Sequence, residues 1–120
     1  MDFFEPHQFR KINTPGVDLV HLLSPHNASA ARVILTSVTM APGAVQERHS
    51  HARAEQVWIA MEGDGVLLLA DGATRAFGRG QVARFEEGDI HGFENTGAVP
   101  FVYLAVTSPR PDAPEAPEPG

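Results

Sequence analysis

Two histidines one residue apart, His49 and His51, stand in the stretch "QERHSHARAEQVWIAMEG" (46–63). On a β-strand, residues i and i+2 point to the same face, about 7 Å apart along the chain. Two imidazoles with that spacing can converge on one metal ion through bonds of about 2.1 Å. On a helix the same spacing would point them nearly opposite ways. In a β-rich chain the pair is either half of a metal site or two exposed strand-edge histidines. A third imidazole, His91, lies in "GQVARFEEGDIHGFEN" (80–95), after a Gly88-Asp89 turn and at the start of an apolar run. A histidine from a distant strand is what the half-site needs to close. The next polar group after His51 is Glu55 or Gln56. Neighbours on a strand face opposite ways, so only one of these two can enter the interior.

The elements that must position these groups read as strands. Short apolar runs rich in β-branched residues alternate with Gly, Pro, Asn and Asp. Strands are expected at 17–23, 31–40, 55–61, 66–70, 73–77, 81–85, 90–95 and 101–107. The run "VLLLA" (66–70) is apolar on both faces and should be central. Asp71-Gly72 reads as a tight hairpin turn. A short helix is expected near residues 3–11. Many short strands at regular spacing give an all-β sandwich or barrel. The stretch "PRPDAPEAPEPG" (109–120) has no large apolar residue and cannot offset its ordering entropy, so it reads as a flexible tail behind one domain at 1–108.

Composition narrows the function classes. The chain has 120 residues, a size for one domain, and a net charge of −6, which argues against nucleic acid as a partner. There is no cysteine, so a metal site must use His, carboxylate or amide ligands. No signal peptide or bilayer-spanning run is read, and the expected location is cytoplasmic, with no membrane partner.

The two histidine stretches together resemble the cupin superfamily. Its first motif, G-x5-H-x-H-x3–4-E-x6-G, is matched by Gly43, His49, His51 and Gly63. Its second, G-x5-P-x-G-x2-H-x3-N, is matched by Gly80, Gly88, His91 and Asn95, with Glu86 where proline is usual. The resemblance implies a double-stranded β-helix, or jelly-roll, cupin barrel. It implies one divalent transition metal, Fe, Mn, Ni, Co, Cu or Zn, on His49, His51, His91 and a fourth ligand. Leaving six intervening residues before Gly63 puts Gln56 at the usual glutamate position, as in the H-x-H-x4-Q cupins that resemble uronate ring-opening enzymes. Glu55 is the alternative. With Gln56 every ligand is neutral, and the ion would keep its full charge for an anionic or chelating oxygen ligand.

The remaining candidates carry two readings each. Trp58 shares the parity of Gln56, and Phe93 that of His91; each is pocket wall or core. Tyr103 is a buried tyrosine with a hydrogen-bond partner or a proton donor near the metal. Arg53 could steer an anion at the pocket mouth. His21 reads as a satisfied core histidine, while His7 and His26 read as loop residues. The expected function is Lewis-acid chemistry on a small carboxylate or sugar-like metabolite: isomerisation, ring opening or elimination. The alternatives are a three-His dioxygenase and a non-enzymatic binding or sensor module. The uronate ring-opening relatives also use an acid on a late strand, which "FVYLAV" (101–106) does not offer. The resemblance further implies a homodimer.

Overall fold

The computed structural model describes residues 1–108. Ten strands follow in order: β1 (Arg10–Thr14), β2 (Val17–Leu23), β3 (Ile34–Met40), β4 (Val45–His49), β5 (Glu55–Glu62), β6 (Asp64–Leu69), β7 (Thr74–Gly78), β8 (Val82–Phe85), β9 (His91–Glu94) and β10 (Phe101–Ser108). They form a six-stranded sheet, β1-β2-β3-β10-β5-β8, and a four-stranded sheet, β4-β9-β6-β7. Every pairing is antiparallel. Chain-distant strands lie side by side, as in β3-β10-β5, and the two sheets enclose one apolar interior. That is the jelly roll the sequence implies. The expected flexible tail, 109–120, lies outside the described residues.

Strand parity builds the interior. In β3 and β10 every second residue is buried, starting with Ile34 and Phe101, and β5 alternates from Gln56 to Ala60. Val38, Met40, Trp58, Phe93, Phe101 and Tyr103 are fully buried. Phe93 stacks on Phe101 with ring centroids 4.0 Å apart, and Tyr103 stacks on Trp58 at 4.2 Å. Each such side chain contributes about 1.5–3 kcal/mol by leaving water.

The strand at 66–70 is indeed internal, with β6 paired to both β7 and β9. The Asp71-Gly72 turn is also present: both residues have positive φ, 58° and 74°, the signature of a type I′ hairpin. The expected helix at 3–11 is absent. A single 3₁₀ turn at Pro6–Gln8 and strand β1 replace it. Pairing of Arg10–Thr14 with β2, closed by the Pro15-Gly16 loop, overrides local propensity. The strand expected from residue 31 begins at Ile34.

Asn95 of the second motif serves the fold. It is fully buried, its amide donates to Met40 O and Val99 O at 3.0 Å each, and its Oδ1 accepts from Gly97 N at 3.0 Å. It fastens the turn after β9 to the end of β3. No helix among the described residues is long and apolar enough to cross a membrane.

His21 is a core histidine, buried with Nδ1 3.0 Å from Thr36 Oγ1. Burial lowers its pKa below 6.5, and the nearby charges of Arg10 and His26 push the same way. A depressed histidine pKa means the unfolded chain takes the proton more readily. The stability His21 contributes is therefore complete above about pH 6.5 and is lost as pH falls through its folded value. Thermal melts from pH 8 to pH 5 should show Tm falling below pH 6.5, with a shallower fall in His21→Gln. Equal slopes in the two proteins would rule His21 out as the source.

Candidate metal centre

His49 reaches the interior because β4 is bulged. Val45 and Gln46 pair with Glu94 and Phe93, but His49, not Arg48, then lies opposite His91. One extra residue on β4 has shifted the register. A one-residue shift turns a strand's other face inward, and bulges re-aim side chains in this way. The bulge is folded tightly over Gly92. A Cβ there would sit 2.5 Å from Gln46 O and 3.0 Å from Arg48 N. His49 and His91, now direct cross-strand partners, have ring centroids 4.4 Å apart. His51 follows just after β4 ends and before the bend at Ala52 and Arg53, not on the strand as its spacing suggests. It still turns inward, 5.1 Å from His49 and 5.3 Å from His91 between centroids. One ring nitrogen from each of the three lies within 4.8 Å of the others.

Gln56 joins this cluster and Glu55 does not. Gln56 is 2 % exposed and directs Oε1 to within 3.2 Å of His91 Nε2. Glu55 faces outward and pairs with Arg84 at 2.8 Å, its side chain 43 % exposed. The amide orientation of Gln56 follows from its neighbours. The Trp58 indole N–H, which can only donate, lies 3.1 Å from Oε1, and Nε2 donates to Thr107 Oγ1 at 2.9 Å.

The donor set fits a cation. A neutral imidazole carries one proton, yet both nitrogens of His91 face oxygen acceptors: Asp89 O at 3.0 Å and Gln56 Oε1 at 3.2 Å. One of these contacts lacks a hydrogen. A second proton on the ring is disfavoured, since burial holds the His91 pKa down at about 4, despite the opposing pull of the Asp89 carbonyl. His49 repeats the arrangement: Nδ1 contacts Glu47 O at 2.8 Å, and the buried Nε2 makes no hydrogen bond. A cation with bonds of about 2 Å would satisfy these inward lone pairs, which apolar packing cannot.

The other expected residues are placed as follows. Trp58 is fully buried and stands between the cluster and the core, edge-on to His91 at 5.4 Å. Phe93 belongs to the aromatic core with Phe77 and Phe101. Tyr103 is fully buried, and its hydroxyl donates to Gln46 Oε1 at 2.6 Å. Burial raises its pKa, so it keeps its proton. Arg53 is exposed in the segment joining β4 to β5. Two neighbours were not evident from sequence. Phe85 lies flat on His91, centroids 4.2 Å apart and planes 7° from parallel. Thr107 sits opposite Gln56 in the β5–β10 register. The inward residues of β10 are Phe101, Tyr103, Ala105 and Thr107, with no acid among them.

A family model described as a cupin domain matches residues 36–107, which hold all four clustered side chains. No curated protein matches the sequence. Among solved structures, the chain is similar to KdgF from a Halomonas species, at 22% identity and TM-score 0.76, over 93% of this chain and 96% of that one. It is similar to a predicted oxalate decarboxylase from Thermotoga maritima, at 26% identity and TM-score 0.71, over 84% and 91%. It is also similar to a sugar phosphate isomerase from Silicibacter pomeroyi, at 25% identity and TM-score 0.68, over 78% and 60%.

The bulge gives a test that touches no clustered side chain. Gly92→Ala must push β4 away and carry His49 with it. It should cost about 1–3 kcal/mol of stability and lower divalent-metal occupancy at temperatures where the variant is still folded. Calorimetry and elemental analysis check both, and wild-type occupancy in a destabilised Gly92→Ala would detach His49's position from the bulge.

Proposed function

This chain belongs to the cupin family, and we propose that it binds one divalent transition metal and acts as an enzyme on a small oxygen-rich metabolite. The reading rests on the His91–Gln56 contact, a ring nitrogen and an amide oxygen held 3.2 Å apart on an imidazole with one proton for two oxygen neighbours, beside two further inward imidazoles. His49, His51, His91 and Gln56 are the proposed ligands. An ion held there would supply Lewis-acid polarisation of a bound oxygen.

The chain's own residues set the terms of that chemistry. All four donors are neutral, so none offsets the ion's charge, and an anionic or chelating oxygen ligand is favoured. Phe85 and Trp58 cover two sides of His91 and keep water from it. Strand parity keeps Glu55 out of the site, and on the outer surface it pairs with Arg84. The names of the two similar structures at 25–26% identity, a sugar phosphate isomerase and a predicted oxalate decarboxylase, support a sugar-like or carboxylate substrate. Isomerisation, ring opening and elimination are the reactions proposed. The particular reaction of the uronate ring-opening relatives is not, because β10 brings no acid inward.

A homodimer is the proposed assembly. The outer face of the six-stranded sheet supports it: Val20, Leu35, Val57, Ile59, Leu104 and Val106 are all partly exposed there, with few charges between them.

Elemental analysis of untagged protein tests the site. Wild type and Glu55→Ala should each carry about one metal per chain. His49→Ala, His51→Ala, His91→Ala and Gln56→Ala should lose most of it while remaining folded. Iron or copper with oxygen uptake on a substrate would favour the dioxygenase chemistry. Wild-type protein that stays metal-free after addition of divalent ions would leave a binding module without metal chemistry.

A further inference from the structure

Gln56 could present either end of its amide to the cluster, and only one end can bind a cation. The oxygen must face inward; the NH₂ group would repel the ion. We infer that Trp58 and Thr107 are positioning residues for Gln56: Trp58 selects the oxygen-inward orientation of its amide, and Thr107 anchors the amide's other end. This rests on the proposal that Gln56 is a metal ligand.

Two hydrogen bonds clamp the amide. Trp58 lies two residues along β5 from Gln56, so strand parity puts both on the inner face. Its indole N–H reaches Oε1 at 3.1 Å. Indole nitrogen donates and never accepts. A flipped amide would set its own N–H against the indole N–H, two donors in a fully buried place. Such a mismatch costs the full desolvation of the unmade bonds. Thr107 lies directly across on β10, and its Oγ1 accepts from Nε2 at 2.9 Å. A hydroxyl can donate as well as accept, so Thr107 holds the amide in place without choosing its direction.

The indole is itself fixed. Trp58 is stacked on Tyr103 at 4.2 Å and edge-on to Phe85 at 5.1 Å, and it is fully buried. It cannot turn its N–H elsewhere without breaking the core. One orientation of one amide is therefore set by the packing of the barrel.

The test uses the full chain, stripped of metal and titrated with Co²⁺ against a competing chelator dye, with metal-free Tm measured alongside. Trp58→Phe removes the N–H and keeps an aromatic ring. It should weaken Co²⁺ binding about 10- to 100-fold, the usual scale for loss of a partner behind a ligand. Thr107→Val should weaken it less, and Thr107→Ser should restore it. The visible spectrum of bound Co²⁺ should shift in Trp58→Phe and not in Thr107→Ser. In a Gln56→Ala background, Trp58→Phe and Thr107→Val should have no further effect on binding, since both act through the amide.

The outcomes separate cleanly. If Gln56→Ala leaves Co²⁺ affinity unchanged, Gln56 is no ligand and the inference falls with that reading. If Gln56→Ala weakens binding but neither Trp58→Phe nor Thr107→Val does, the ligand stands and the inference is overturned. Loss in those two variants that persists in the Gln56→Ala background would make their effect structural and also overturn it. Should Trp58→Phe fail to fold, replacing the chain's single tryptophan by its benzothiophene analogue, which keeps the ring shape and lacks the N–H, takes its place in each of these comparisons.

Discussion

Two oxygen acceptors grip the two nitrogens of one imidazole, and that imidazole has a single proton to share between them. Asp89 O and Gln56 Oε1 flank His91 at 3.0 and 3.2 Å, inside a barrel where the ring is 1 % exposed. Protonating the ring would resolve the conflict in water. Burial prevents it here, holding the pKa at about 4. Turning the Gln56 amide would resolve it too, but the Trp58 N–H stands in the way. The arrangement is unfavourable as a closed hydrogen-bond network and favourable as a cation's coordination shell. A buried polar cluster left partly unsatisfied by the protein itself is unlike the rest of this interior, where Asn95 and His21 find their partners.

Holding that conflict in place falls to the two sheets jointly. The four-stranded sheet supplies His49 and His91 as neighbours across β4 and β9, and the six-stranded sheet supplies Gln56, Trp58 and Thr107 from β5 and β10. The groups meet only because the sheets face each other. Parity alone would have failed on β4: Gln46 points inward to Tyr103, and strict alternation would then have sent Arg48, not His49, into the interior. The bulge over Gly92 corrects this by one residue. Arg48, left outside, reaches across to Leu69 O at 2.8 Å. Precision in the cluster thus depends on an irregularity in a strand and on a residue whose contribution is its missing Cβ.

What the sequence revealed of this follows from where the signal is local. The choice between Glu55 and Gln56 is a parity question on one strand: motif spacing favours Gln56, and Gln56 is the one of the two that is buried. The Asp71-Gly72 hairpin is likewise a local event, since both residues must adopt positive φ. The bulge was invisible, because it exists only in the register between β4 and β9, residues more than forty apart. The i, i+2 spacing of His49 and His51 suggests the right convergence for an incomplete reason: the strand ends at His49, and His51 turns inward from the irregular segment that follows. Thr107 passed unnoticed because a threonine in a β-branched run looks like strand propensity. The helix expected near 3–11 gives way at its end to β1, whose pairing partner lies in the next strand and not in its own composition.

The interior also limits the chemistry available to the proposed site. Among the described residues the buried polar side chains are His21, Ser24, Thr36, Gln56, His91, Asn95 and Thr107, with no carboxylate. Acids near the cluster, Glu55, Glu86, Glu87 and Asp89, lie at the surface or in the turn before β9. General acid–base catalysis by a desolvated carboxylate has no group to perform it here. Tyr103 does not substitute, since its hydroxyl is donated to Gln46 and burial raises its pKa further from neutrality. What the barrel does concentrate is neutral lone pairs aimed at one point. Protons moved in a reaction at that point would have to pass through the substrate's own hydroxyl or carboxyl groups, or through water admitted with it. Reactions that relocate a proton within one oxygen-rich molecule fit that constraint better than those needing a dedicated protein acid and base, and of the reactions proposed for this site isomerisation and ring opening are of that kind.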